Sequence, residues 1–217
     1  MDDCNTMCTP LDSGNVLSVH DCPQTDEERS EMRTIPYWEL ISALTWITVV
    51  LRPDISFTAV YLTCFNANPG QTHWKAAKHV LCYLKGTANH RLTMGLHLNN
   101  LSELITYVDS DWGCDMDTRH SVSGYVFLLG KLAVSWSAKQ QPTVAASSTK
   151  AEYMSVLLTA HQGLWLRCLL IELGFTHLRS DPTIIYLNNC SAMELVKESR
   201  HHNQTKHVDI QHHFIRK

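Results

Sequence analysis

The sequence predicts a mixed α/β fold, a sheet with helices packed on it, preceded by a small helical segment. Three observations carry this. Apolar residues recur at helical spacing between residues 37 and 84. Three segments rich in β-branched and aromatic residues follow between 104 and 136. A long helical stretch and one more short strand come after them. The order β-β-β-α-β-α joins an antiparallel meander to a crossover helix. Hydrophobic residues are 44% of the 217, enough to build a core.

Residues 1–35 read as an irregular lead-in, polar and punctuated by Thr9-Pro10 and Ser13-Gly14. Residues 36–98 form the helical segment. Its first helix covers 37–50 and is apolar on most faces. Pro53 opens a second, running to about Asn66, because proline is tolerated in a first turn. Asn68-Pro69-Gly70 is a turn. Trp74, Ala77, Val80, Leu81 and Leu84 then share a helix face, and Gly86 stands where a C-terminal cap belongs. Composition changes after Asn99-Asn100, so residues 99–217 are a separate domain. Its strands are Leu104–Val108, Ser123–Leu129 and Leu132–Trp136, the last two joined at Gly130-Lys131 as a hairpin. A helix runs from about Ser148 to Leu173 and stops at Gly174. Its expected inner face carries Met154, Leu157, Leu158, His161, Trp165, Cys168 and Leu169. Thr183–Leu187 is a short strand, and helices at 191–198 and 205–216 follow.

The formal net charge of -3 is the wrong sign for a bulk-charge nucleic-acid binder, so such a partner must be argued from a site. The first residues carry no basic start with an apolar stretch behind it. The uncharged apolar run Leu40–Leu51 is too short to span a bilayer. The expectation is a soluble intracellular protein with no membrane partner and no small-molecule substrate. Eight cysteines in that setting are not a disulfide framework, and no Cys-x-x-Cys pair supports a zinc ribbon.

Asp109 and Asp111 end the first strand. Residues i and i+2 of a strand share a face, so the two carboxylates can converge on a hard cation such as Mg²⁺ or Mn²⁺. The alternative is a solvated acidic loop with Asp115 and Asp117. Glu152 can reach such a site from the start of the long helix. It can equally close a capping box with Thr149. Asn188-Asn189 ends the fourth strand, where a third carboxylate would complete a metal site and none stands. Lys75, Lys78 and Lys85 decorate one helix, as a phosphate-binding face or as a solvated one. His201, His202, His207, His212 and His213 match no familiar metal-site spacing.

Several long motifs, in order, carry a family resemblance. Tyr107-Val108-Asp109-Ser110-Asp111-Trp112 and Arg119-His120-Ser121-Val122-Ser123-Gly124-Tyr125-Val126-Phe127 resemble the opening of a copia-type retrotransposon RNase H. Ser135-Trp136-Ser137-Ala138-Lys139-Gln140-Gln141-Pro142-Thr143-Val144 and Ser147-Ser148-Thr149-Lys150-Ala151-Glu152-Tyr153 resemble its second hairpin and first helix. Tyr186-Leu187-Asn188-Asn189-Cys190-Ser191-Ala192 and Thr205-Lys206-His207-Val208-Asp209-Ile210 continue it. Arg52-Pro53-Asp54-Ile55 and Tyr83-Leu84-Lys85-Gly86-Thr87 resemble the reverse-transcriptase tail between polymerase and RNase H. The adjacent aspartates of a polymerase site are absent.

The resemblance implies an RNase H-like sheet, two divalent metals (Mg²⁺ or Mn²⁺) and hydrolysis of RNA in an RNA–DNA hybrid. It implies that Asp109 bridges the metals, that Glu152 is the helix glutamate, and that Asp111 is secondary. It also implies losses. The family's third carboxylate falls on Asn188, and the last strand and helix, with a fourth aspartate, lie beyond Lys217. Cleavage is therefore expected to be impaired or lost, leaving a non-catalytic nucleic-acid-binding module or a relic as alternatives. The family usually has Glu at Lys150, Asp at Asn188, and Arg at Cys64, Cys82, His120, Cys168 and Gln204. Each of these is reachable by a single C-to-T or G-to-A base change, as expected of a decayed copy.

Overall fold

The computed structural model describes residues 4–12, 14, 16–92, 103–179 and 182–197. They fall into two units, one of residues 1–92 with 115–119, the other of 93–114 with 120–217.

In the first unit, Thr25 and Glu28 satisfy each other's backbone N–H groups, with Glu28 N–H on Thr25 Oγ1 at 3.2 Å and Thr25 N–H on Glu28 Oε2 at 3.2 Å. This reciprocal cap starts α1 (Asp26–Arg33), with three acids in its first turn and an arginine in its last, both favoured by the helix dipole. The lead-in is therefore not wholly irregular. The Thr-x-x-Glu signal lay in the sequence, but the segment is too polar for an apolar periodicity to mark it. Helices α2 (Tyr37–Val50), α3 (Ser56–Thr63) and α4 (Gln71–Gly86) follow, with a 3₁₀ turn at Pro53–Ile55. The segment expected to run unbroken from Pro53 to Asn66 is thus a 3₁₀ turn and a shorter helix.

The core of this unit gathers Leu17, Tyr37, Ile41, Leu44, Ile55, Leu62 and Val80. Its buried hydroxyls are spent on backbone carbonyls: Tyr37 on Leu62 at 2.9 Å and Tyr61 on Leu17 at 2.9 Å. Arg52 pairs with Asp54 at 2.7 Å and donates to Thr87 Oγ1 at 2.6 Å, while the Tyr83 hydroxyl donates to Asp54 at 2.8 Å. These bonds tie the 3₁₀ turn to the end of α4. Gly70 opens α4 against the Asp21 carbonyl. A Cβ built there would lie 1.8 Å from that oxygen.

The second unit holds a four-stranded sheet in the order β3-β2-β1-β4. Its strands are β1 (Leu104–Asp111), β2 (Val122–Leu129), β3 (Leu132–Gln140) and β4 (Ile184–Leu187). β2 is antiparallel to both β1 and β3, and β4 is parallel to β1. Gly130, at φ 63°, makes the hairpin turn that the sequence predicts. Helix α5 (Ser148–Glu172) packs on β1 and β2, and α6 (Cys190–Lys197) follows β4. The sheet is mixed, as expected, but β1 and β3 run on to Asp111 and Gln140, beyond the apolar segments that mark them, while β2 and β4 lie within one residue of theirs.

The buried face of α5 differs from the expected one. Ala151, Tyr153, Ser155, Val156, Thr159, Gly163, Leu166 and Leu170 turn inward, while Trp165 is 58% exposed and His161, Cys168 and Leu169 face outward. Small residues win the sheet side because they let the helix approach. A Cβ on Gly163 would stand 3.3 Å from the Phe127 ring, which fills the space. Among the described residues α5 is long and apolar enough, by composition, to cross a membrane, but it packs on the sheet. The helix expected at 205–216 and the histidine cluster lie outside the described residues.

Gly70→Ala is expected to destabilise the first unit by about 2–4 kcal/mol in urea unfolding, because the backbone itself must move. An unchanged midpoint would show that the Asp21 carbonyl is not fixed.

Candidate functional site

Strand β1 alternates, with Leu104, Thr106 and Val108 buried and Tyr107, Asp109 and Asp111 exposed. Asp109 and Asp111 therefore share a face, as expected from their spacing. Trp112 anchors the strand's end, its indole N–H donating to the Ala145 carbonyl at 3.0 Å. β4 runs parallel beside β1 with Val108 opposite Leu187, so Asp109 and Asn188 leave the sheet side by side. The Asn188 amide donates to Asp109 Oδ1 at 3.5 Å, a long bond, and the Ser110 N–H donates to the same oxygen at 2.9 Å.

The third member comes from α5. Its N-cap is Ser147, whose hydroxyl accepts the Lys150 N–H at 3.2 Å. The capping box expected between Thr149 and Glu152 is not made. The run Ser147-Ser148-Thr149 offers three hydroxyls, and the cap falls on the first. Glu152 is thereby released from capping and is only 5% exposed. Gln141, itself buried, fixes this turn on the sheet. Its side-chain N–H groups donate to Ser123 Oγ at 2.9 Å and to the Ala151 carbonyl at 2.9 Å. Ser155 adds a bond to Ser123 Oγ at 2.7 Å. Gln141, Ser123 and Ser155 carry no signal of their own in the sequence, since each looks like an ordinary polar strand or helix residue.

Glu152 Oε2 is buried without a hydrogen-bond partner, as is the nearby Ser110 Oγ. Burial pushes the Glu152 carboxyl up to about 7, and the adjacent Asp109 carboxylate and the hydrogen bond with it push the same way. Hydrogen bonding from the Ser110 backbone opposes them in part. Asp109, Glu152 and Asn188 thus meet, while Asp111 stays exposed one pleat further along.

The donor set is two carboxyls and an amide. Hard oxygen ligands suit Mg²⁺ or Mn²⁺, and an orphaned buried oxygen beside a second carboxylate is where one such cation fits. Two dications would face only two negative charges, so the pair does not fit. Among the described residues no three His, Cys, Asp or Glu side chains gather to hold a metal. The lysines lie in the other unit: Lys75 is exposed, Lys78 sits over the Trp74 ring at 5.8 Å, and Lys85 donates to the Cys4 carbonyl at 3.0 Å.

The chain is 37% identical over 216 residues to the retrovirus-related Pol polyprotein from transposon TNT 1-94 of Nicotiana tabacum, a match covering all of this chain. Pol polyproteins from transposons RE2 and RE1 of Arabidopsis thaliana are 34% and 39% identical over 97% and 83% of it. The chain belongs to the copia-type retrotransposon Pol family. It spans only 16%, 14% and 12% of those three polyproteins. No protein-family model matches it, and no solved structure does. Within this Pol-family chain, the matched length covers both units and all three clustered residues.

The raised carboxyl has a stability consequence. Below about pH 4 Glu152 is protonated in both the folded and unfolded states. Between the ordinary value of 4.5 and about 7 the unfolded state ionises first, so stability falls as pH rises. Above that the penalty is constant, a few kcal/mol at most at roughly 1.4 kcal/mol per pH unit. Glu152→Gln, unfolded in urea with chelator present, is expected to lose this slope and to exceed the parent's stability at pH 8. An unaltered slope would assign it to another group.

Proposed function

We propose that the second unit is an RNase H-like nuclease domain, acting by family on the RNA strand of an RNA–DNA hybrid, whose metal site holds one cation and whose cleavage is impaired. The observation that carries this is the meeting of Asp109, the buried Glu152 carboxyl and Asn188 at one end of a parallel strand pair. In open sheets, ligands bind outside the carboxyl ends of parallel strands.

A cation held by Asp109 and Glu152 would supply Lewis-acid polarisation of a phosphoryl oxygen and a more acidic water. Asp109 would help hold it with a carboxylate that Ser110 and Asn188 already orient through Oδ1. Glu152 would give up its proton to do so. Asn188 would have to turn its amide oxygen inward, contributing a neutral ligand where the family pattern has a carboxylate. Asp111 would orient outer waters. Lys75, Lys78 and Lys85, in the first unit, would offer a phosphate-binding face of their own. The second reading, hybrid binding without cleavage, is favoured by the same neutral amide and predicts salt-sensitive binding alone.

The test is cleavage of an end-labelled RNA–DNA hybrid in Mg²⁺ and in Mn²⁺. The chain is expected to cleave weakly or not at all, and Asn188→Asp to raise the rate by at least ~10²-fold through the restored charge. Asp109→Asn should abolish whatever is seen. Efficient cleavage that survives Asp109→Asn would remove this site from the reaction. An inert Asn188→Asp chain that still binds hybrid would favour the binding reading.

A further inference from the structure

The N-terminal strap lies along α4. Lys85 donates to the Cys4 carbonyl at 3.0 Å, the Met7 N–H meets the Cys82 carbonyl at 3.4 Å, and the His79 ring meets the Thr9 carbonyl at 2.9 Å. Thr6 packs so closely that a Cβ on Gly86 would stand 3.0 Å from its own Cβ. Leu11 then joins the core of the unit. Contacts on both sides of Cys82 therefore fix the strap's path, and they carry Cys4 to the same helix. Its thiol is the first cause that raises the pKa of the Cys82 thiol, one turn of α4 before Lys85. Cys4 is half-buried and Cys82 buried, whereas Cys8, Cys64, Cys168 and Cys190 are exposed.

We infer that Cys4 and Cys82 are a thiol–disulfide exchange pair, oxidised by a small-molecule disulfide to a bond that pins the strap to α4. The accessible partner acts first. The Cys4 thiolate attacks the external disulfide, forms a mixed disulfide and expels one thiolate. The Cys82 thiolate then attacks the Cys4 sulfur and expels the second. Two protein S–H bonds are lost, one S–S bond forms, and the external disulfide is reduced to two thiols. The buried partner needs no access to solvent, because its step is intramolecular. The hydrogen bond to Cys4, and then burial, hold the Cys82 thiol above its ordinary pKa, so the closing step quickens as pH rises.

The pairing is specific to the fold. In an unfolded chain Cys4 is four residues from Cys8 and far from Cys82 in sequence, so loop closure favours the short bridge. The full chain, reduced and then equilibrated in a glutathione redox buffer, is alkylated and digested without reduction, once in native buffer and once in concentrated urea. The native sample is expected to give a Cys4–Cys82 peptide lighter by about 2 Da than its two reduced parts, with Cys64, Cys168 and Cys190 alkylated. The urea sample should give mainly Cys4–Cys8. Cys8→Ser should leave the native product intact, and Cys4→Ser should abolish it. The oxidised native chain should also resist proteolysis within residues 4–12. The proposal is overturned if Cys4 and Cys82 are both alkylated in native buffer, or if native and urea samples give the same pairings.

Discussion

A carboxyl buried beside another carboxylate is a cost, and the second unit is organised around it. Glu152 lies one turn inside α5 with an orphaned oxygen, facing Asp109 at the end of β1. Left alone, the helix would move so that the carboxylate met water. It is held instead by Gln141, Ser123 and Ser155, which bond the Ala151 turn to β2, by the Ser147 cap, and by Gly163 against Phe127. Without a cation the protein copes by raising the Glu152 pKa. Under the proposed function, the same two carboxyls would serve as ligands to one. The arrangement is poised by charge.

Asn188 shifts that balance. Where the family pattern has a third carboxylate, a neutral amide donates to Asp109. The amide relieves repulsion in the cation-free chain and weakens the site's claim on a second dication. Under the proposed function, a neutral residue at 188 would favour the cation-free fold over two-metal chemistry. The first unit is held by its own charges. Its polar groups, such as Arg52, Asp54 and Tyr83, are spent on one another.

Much of this was legible in the sequence where local physics decides. Period-2 alternation placed Asp109 and Asp111 on one face, Gly130 fixed the hairpin, and the order of elements gave a mixed sheet. What failed did so for identifiable reasons. Helix α5 is apolar on nearly every side, so periodicity chose the face with the bulkiest residues. Close packing chose the face with Gly163 and Ser155. The α1 helix rests on caps and dipole rather than burial, so an apolar pattern passed over it. The cap at Ser147 decided whether Glu152 was structural or available, and three consecutive hydroxyl residues hid that choice.

The central claim, a two-carboxyl site sized for one hard cation, is tested most directly by diffraction from crystals grown with Mn²⁺, using its anomalous signal. A single Mn²⁺ between Asp109 and Glu152, with the Asn188 amide oxygen turned toward it, is the predicted result. Two Mn²⁺ ions there, or none at saturating concentration with Glu152 still buried, would contradict it.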